Sequence, residues 1–289
     1  MPTPSTPTPP DIRVRRMSFD TSLASVPRHF AYDGDIVASH VAACLSAVFP
    51  DGEDYFVRSV RRFRDQVKGS SLEHPVNGFI GQEAVHGREH RAFNRRLSEL
   101  GYPTRLIERL TERGLALADK VLSPKVNLAA TAAAEHYTAT LAELLLAEDG
   151  FRHLFGDQRV LDLFLWHALE EAEHKAVAFD VYRAVGGSER MRRRVMTGMN
   201  IGFIGGITVA VLVSLAGDPA AYNPLRLIPS VVRFLRSPVI SRKVWRAIRE
   251  YAREGFHPDD HDAVELLAAW REQLFGTDGS LKDRMAGVA

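Results

Sequence analysis

A single cysteine, Cys44, excludes an internal disulfide and fits a reducing compartment; its place on the apolar face of an early helix makes packing its expected role. An excess of one charge is also missing. Against 37 Lys plus Arg stand 36 Asp plus Glu, a formal net charge of +1, so nothing in the balance favours nucleic acid as a partner. No stretch carries the alternation of a β-strand, and no repeat organises the chain beyond a paired Glu-x-x-His element. Residues 1–10 are rich in Pro, Thr and Ser and have no apolar segment, which reads as a flexible tail and not a signal peptide. Export is not expected, and the implied location is the cytoplasm. At 289 residues and 45% hydrophobic, the chain can bury one large core and carry an appendage.

What is present is a set of metal-binding residue types in a fixed order: Glu53, Glu83-x-x-His86, Glu135 and Glu171-x-x-His174. Each falls on the apolar stripe of a predicted helix. Phe79, Glu83, His86, His90, Phe93, Leu97 and Leu100 step by three and four residues, with Arg88, Arg91, Arg95 and Arg96 largely off that face. Phe164, His167, Glu171, His174, Ala178 and Val181 form a second stripe, from which Glu170, Glu173 and Lys175 are expected to fall away. Glu53 precedes Phe56, Val57, Val60, Phe63 and Val67, and Glu135 sits among Leu128, Ala142 and Leu145 or Leu146 in an Ala-rich helix. A third Glu-x-x-His, Glu254 to His257, is interrupted by Gly255 and followed by Pro258, so it is set aside, with a helix cap expected at His257.

An unpaired ionised carboxylate in a core costs several kcal/mol, so four of them on facing stripes need compensation. Two divalent cations would match four carboxylates in charge, and neutral imidazoles would complete the coordination without adding any. Taken one at a time, each Glu is better explained as a partner of the plentiful Arg. Two Glu-x-x-His pairs with two further Glu, all on stripes, favour the two-metal arrangement of a four-helix bundle.

Across about residues 35–186 the chain resembles the ferritin-like di-iron carboxylate superfamily. More narrowly, the runs Gly-Gln-Glu83-Ala-Val-His86-Gly-Arg-Glu-His90 and Trp166-His167-Ala-Leu-Glu-Glu171-Ala-Glu-His174-Lys resemble the bacterial family of predicted metal-dependent hydrolases. The resemblance implies Glu53, Glu83, His86, Glu135, Glu171 and His174 as ligands of two iron ions, with manganese or zinc as alternatives. His167-x-x-x-Glu171-x-x-His174 is also similar to the last bundle helix of arylamine N-oxygenases, which implies His167 as a seventh ligand; His90 competes for that place. The expected activity is dioxygen-dependent oxidation of an apolar or aromatic small molecule, which calls for an electron donor. The alternatives are a hydrolase using a metal-bridged water and a non-catalytic metal-binding protein.

The expected fold is all-α: a ferritin-like four-helix bundle over 35–187, preceded by a flexible tail and lead-in over 1–34 and followed by a C-terminal apolar and basic helical appendage over 188–289. One helix is expected from Asp35 to Phe49, a restart at Pro50-Asp51-Gly52, and a new helix opening near Glu53. In the appendage, residues 195–217 form a charge-free run of 23, preceded by Arg190, Arg192, Arg193 and Arg194. Residues 219–253 then hold eight Lys plus Arg against Glu250 alone. Positive charge at both ends argues against a single crossing. The readings left open are a hairpin dipping into one leaflet, a surface amphipathic patch near Leu225 to Leu235 at the inner face of the membrane, and a helix buried on the bundle.

Overall fold

Ten helices of eight or more residues organise the computed structural model, which describes residues 12–285: α1 Ile36–Arg61, α2 Glu73–Glu99, α3 Thr104–Val121, α4 Pro124–Ala147, α5 Gln158–His174, α6 Val177–Ala184, α7 Glu189–Ala216, α8 Pro224–Leu235, α9 Arg242–Glu250 and α10 Val264–Phe275. Shorter helical turns lie between them. Two isolated bridges, Met17 with Met285 and Ala31 with Phe155, are the only β pairing among the described residues. The starts are chemically marked. Asp35, Ser123, Asp157 and Ser188 cap α1, α4, α5 and α7 by accepting from backbone N–H groups one turn in, and Pro124 follows its cap at the first helical position. Gly101, at φ +91°, stops α2, and Gly186, at φ +75°, stops α6.

The four helices bearing the candidate ligands, α1, α2, α4 and α5, pack round one core, with α3 running along α1 to carry the chain from α2 to α4. The expected break at Pro50 is absent, and α1 is continuous through it. Proline at position 50 cannot donate to the carbonyl of Ser46 one turn earlier. Asn94 of α2 fills that role, its Nδ2 donating to the Ser46 carbonyl at 3.1 Å. The helix therefore survives the proline because a neighbouring helix satisfies the freed acceptor, and Glu53 sits in mid-helix. The fourth motif helix, expected to be continuous, instead ends at His174 and restarts at Val177. Lys175, in the turn between them, is buried and donates to Glu143 Oε1 at 2.7 Å and to the His261 carbonyl at 2.8 Å.

Residues 1–10 of the expected tail lie outside the described residues. From residue 12 on, the lead-in is part of the core: Ile12, Met17, Phe19, Leu23, Val26 and Phe30 are buried. This segment crosses α2 so closely that a Cβ at Gly78 would stand 2.7 Å from Ile12, and one at Gly81 would stand 2.4 Å from Val14. Only glycine permits that approach. Together with α10 the segment covers the outer face of α5, and so Glu170 and Glu173 are buried; Lys175, against Glu143 and His261, is buried too, all three contrary to the sequence expectation. An amphipathic pattern could not show this, because the covering chain is remote in sequence.

Helix α7 packs against α1 and α4, and α8 against α1. Asn200, a polar residue in the apolar run, accepts from the Tyr137 hydroxyl of α4. Most of α7 faces outward. It is long and apolar enough to cross a membrane, and only 11% of its most apolar window is buried, so the helix lies on the bundle by one side and is not enclosed by it. Cys44 packs beside Ala47 and Ile107, and burial pushes its thiol up to about 12, consistent with a packing role.

The Pro50–Asn94 compensation gives a direct test. Asn94→Leu should destabilise the chain by about 1–3 kcal/mol, the cost of an orphaned buried acceptor, and by less in a Pro50→Ala background where the helix supplies its own donor. Denaturant unfolding of the four chains of this cycle measures the difference.

Candidate metal centre

The described structure brings all seven sequence-predicted residues to one place in the core. Glu53 comes from α1, Glu83 and His86 from α2, Glu135 from α4, and His167, Glu171 and His174 from α5; each is at most 4% exposed. Two groups have ligand atoms close enough to share an ion, Glu53 with His86 and His167, and Glu83 with Glu171 and His174. Glu171 lies between them. Its Oε1 is 2.9 Å from His167 Nε2, 3.6 Å from His86 Nδ1 and 3.7 Å from His174 Nε2. Glu135 Oε2 approaches His174 Nε2 at 3.4 Å, and Glu83 Oε1 approaches it at 3.0 Å. A Cβ at position 87 would come within 3.2 Å of Glu53 Oε2, so Gly87 leaves that carboxylate its room.

The outer hydrogen bonds fix which imidazole nitrogens face inward. His86 Nε2 donates to Glu170 Oε2 at 3.0 Å, leaving Nδ1 as a lone pair. His174 Nδ1 donates to Gln82 Oε1 at 2.8 Å, because the Gln82 amide nitrogen is already spent on the Arg13 carbonyl and Glu173. Its Nε2 lone pair therefore faces Glu83 and Glu135. The third imidazole is set by a longer chain. Asn94 Nδ2 donates to the Ser46 carbonyl and Glu108, so Asn94 Oδ1 accepts from Ser46 Oγ at 2.8 Å. Ser46 Oγ then accepts from His90 Nδ1 at 2.9 Å, and His90 Nε2 accepts from His167 Nδ1 at 2.6 Å. In its neutral form His167 is thus left with a lone pair at Nε2, aimed at Glu171 and Glu53.

Three imidazole lone pairs facing four carboxylates repel one another unless positive charge lies among them. Both oxygens of Glu53, Glu83 and Glu135, Oε2 of Glu171, His86 Nδ1 and His174 Nε2 are buried without a hydrogen-bond partner. Those are the atoms that would bind two cations, and their chemistry fits divalent ions that take mixed nitrogen and oxygen ligands. Left to protons alone, the cluster draws them. Burial and then the neighbouring carboxylates raise Glu53 and Glu83 well above the usual range, and burial with Glu171 nearby lifts Glu135 to about 7. Burial lowers the His174 imidazole, but Glu135, Glu171 and Glu83 outweigh it and hold the group well above its ordinary value. Burial, with His167 adjacent, pushes His86 and His90 down.

Sequence reasoning missed the layer that orients these rings. Arg15 reaches Glu170 at 3.0 Å and Glu173 at 2.8 Å, and Arg271 of α10 reaches Glu173 at 2.7 Å. The available signal was the carboxylate beside each ligand, Glu170 next to Glu171 and Glu173 next to His174, since burial of either demands a cationic or donor partner. The set-aside Glu254 to His257 stays outside the site, with His257 capping the turn Pro258–Asp260 and bonding to Asp180 at 2.8 Å. One further group, His29, His40 and Asp218, has ligand-like spacing. There both imidazoles bond to Asp218 Oδ2, at 2.7 and 2.9 Å, and Arg28 lies 3.5 Å from the same oxygen, so the charge is already matched. This group ties the α7–α8 junction to α1.

A cavity of about 160 Å³ adjoins the centre, lined at its inner end by His167, Glu171 and Phe49 and otherwise almost wholly by apolar side chains. It is about the size that admits a benzene-sized group (~150 Å³). Comparison with known proteins gives one family, described as predicted metal-dependent hydrolase, matching residues 13–262. No curated protein and no solved structure matches.

A carboxyl raised in the folded state adds stability that is full below its unfolded value, near 4.5, and lost as pH rises through about 7. In chelator-treated protein, Glu135→Gln should therefore raise unfolding stability at pH 8, by on the order of 2 kcal/mol, and clearly less at pH 5. With divalent metal added the same substitution should destabilise. Denaturation at both pH values, with and without metal, checks the sign.

Proposed function

The chain belongs to the family of predicted metal-dependent hydrolases, and from that premise we propose that it holds two divalent ions in a ferritin-like bundle and hydrolyses a small apolar ester or amide. The observation that carries the reading is the convergence of partnerless carboxylate oxygens and inward imidazole lone pairs on one buried point. Glu53, Glu83, His86, Glu135, Glu171 and His174 are the proposed ligands, with His167 as a seventh. A bound pair of divalent ions supplies Lewis-acid polarisation and a water acidified toward neutral pH.

The chain's own residues supply orientation and dryness. Glu170 and Gln82 hold the His86 and His174 rings with their lone pairs inward, and Arg15 fixes Glu170 in turn. The His90–Ser46–Asn94 chain does the same for His167. Phe49 and Phe164 pack edge-on against His90, excluding water beside it. A second reading, oxidation of an apolar substrate by dioxygen at two irons with an external electron donor, is favoured by the lining of the cavity. Apart from His167 and Glu171, the only titratable side chain there is Tyr137, whose hydroxyl is committed to Asn200.

Metal-loaded protein should hydrolyse p-nitrophenyl octanoate, and Glu83→Ala should lose at least one ion per chain and about 100-fold or more of that activity, as expected when a ligand to a catalytic ion is removed. Equal rates in chelated and loaded protein, or full metal content in Glu83→Ala, would count against the site. Oxygen uptake by ferrous-loaded protein without ester hydrolysis would select the second reading.

We also propose that α7 and α8 rest on an anionic membrane surface at its cytoplasmic side. Support comes from Ile201, Val209, Leu212, Leu225 and Ile228, all more than half exposed, beside Arg226, Arg236, Arg242, Arg246 and Arg249, which have no acidic partner among the described residues. The expected result is flotation with phosphatidylglycerol-containing vesicles and release by high salt. Protein that stays at the bottom of the gradient at low salt would contradict this reading.

A further inference from the structure

The cavity beside His167 does not stand alone. Its outer wall, formed by Ala38, Leu154 and Phe234, is shared with a second, larger space of about 710 Å³ that opens to solvent beneath α8. The two differ in chemistry. The inner space is small and largely apolar, lined from Phe203 of α7 and Phe234 of α8 to His167 and Glu171. The outer vestibule carries Arg233 and Arg236 on its rim. Its one carboxylate, Asp35, is committed: Arg233 Nη1 donates to it at 2.9 Å, Ser230 Oγ at 2.7 Å, and the backbone N–H of Ala38 at 2.9 Å. Arg236 has no acidic partner among the described residues and is exposed. A positive mouth therefore leads to an apolar slot that ends at the candidate metal centre.

We propose that this pair of spaces is one binding site for an anionic single-chain amphiphile, with its head group against Arg236 and its tail passing Phe234 toward His167. The inference deepens the proposed function by naming the substrate class, and rests on the reading that the buried centre acts on a molecule in the inner cavity. The small volume of the inner space, about 160 Å³, suits a slender chain or a single ring better than a fused ring system. Charge at the mouth selects an anionic head, since Asp35 is matched by Arg233 and a cationic head would face the unmatched guanidinium of Arg236 with the only carboxylate lining the vestibule already bonded. The arrangement places the reacting part of the molecule along the tail and not at the head, because the head is held in the solvent-facing vestibule.

Calorimetric titration of the full-length, metal-loaded protein with dodecanoate, below its micelle concentration, tests the proposal. The expected result is one saturable site per chain, with dodecyltrimethylammonium binding at least tenfold more weakly. Arg236→Glu, a surface change that spares the fold, should weaken dodecanoate at least tenfold, and Ala42→Phe, which fills the slot, should do the same. Dodecanoate with a diazirine at its terminal carbon should label peptides containing Phe49 or Phe164. Equal binding of the cationic amphiphile, unchanged affinity in both variants, labelling confined to the outward faces of α7 and α8, or absence of a saturable site would each overturn it. Repeating the titration on chelated protein keeps the two readings distinguishable. Dodecanoate binding that persists while ester hydrolysis and oxygen uptake are both absent would remove the catalytic reading alone, and full activity on p-nitrophenyl octanoate without dodecanoate binding would remove this one alone.

Discussion

Mutual repulsion among four buried carboxylates and three inward imidazole lone pairs is the constraint to which the surrounding structure answers. Each ionised carboxylate placed in a core costs several kcal/mol, and more when its neighbours have the same sign. The chain does not relieve this with basic side chains at the centre. It spends its arginines one layer out, where Arg15 and Arg271 neutralise Glu170 and Glu173, and leaves every innermost carboxylate oxygen except Glu171 Oε1 without a hydrogen-bond partner. Such a layout is costly for a purely structural core and natural for one whose positive charge is supplied by metal ions.

The orienting layer explains features that otherwise look unrelated. Asn94 serves two ends at once: its amide nitrogen caps the carbonyl freed by Pro50, and its oxygen starts the chain of hydrogen bonds that fixes His167. Gly78 and Gly81 let residues 12–14 lie flat on α2, which brings Arg15 to Glu170 and so sets His86. Backbone closeness at one surface and ring orientation in the core are thus linked through two hydrogen bonds. Folding of the lead-in and α10 onto α5 is part of building the centre, which places residues from both ends of the chain in its support.

The burial and convergence of Glu53, Glu83, His86, Glu135, Glu171 and His174 were legible because residues that face one helical core must share the 3.6-residue stripe of its apolar side chains, and that stripe is written locally. The all-helical class was legible for the same reason. Continuity of α1 was not, since it depends on Asn94, forty-four residues beyond Pro50 and visible only once α1 and α2 are packed. Burial of Glu170 and Glu173 was hidden for a like reason: their covering partners, Arg15 and Arg271, lie about 155 and 98 residues away. The apolar run of α7 carried an ambiguity that composition cannot resolve, because a core helix and an exposed one can share the same hydropathy; contacts with α1 and α4 along one side only decide it.

Anomalous diffraction from crystals of the full chain soaked in a divalent transition metal is the most direct test of the central claim. The account predicts two peaks per chain, each about 2.0–2.2 Å from carboxylate oxygens and imidazole nitrogens of Glu53, Glu83, His86, Glu135, Glu171 and His174, with His167 Nε2 also at about 2 Å. A centre that takes up no metal, or ions lodged at His29, His40 and Asp218 with the buried carboxylates bonded only to protons, would contradict it.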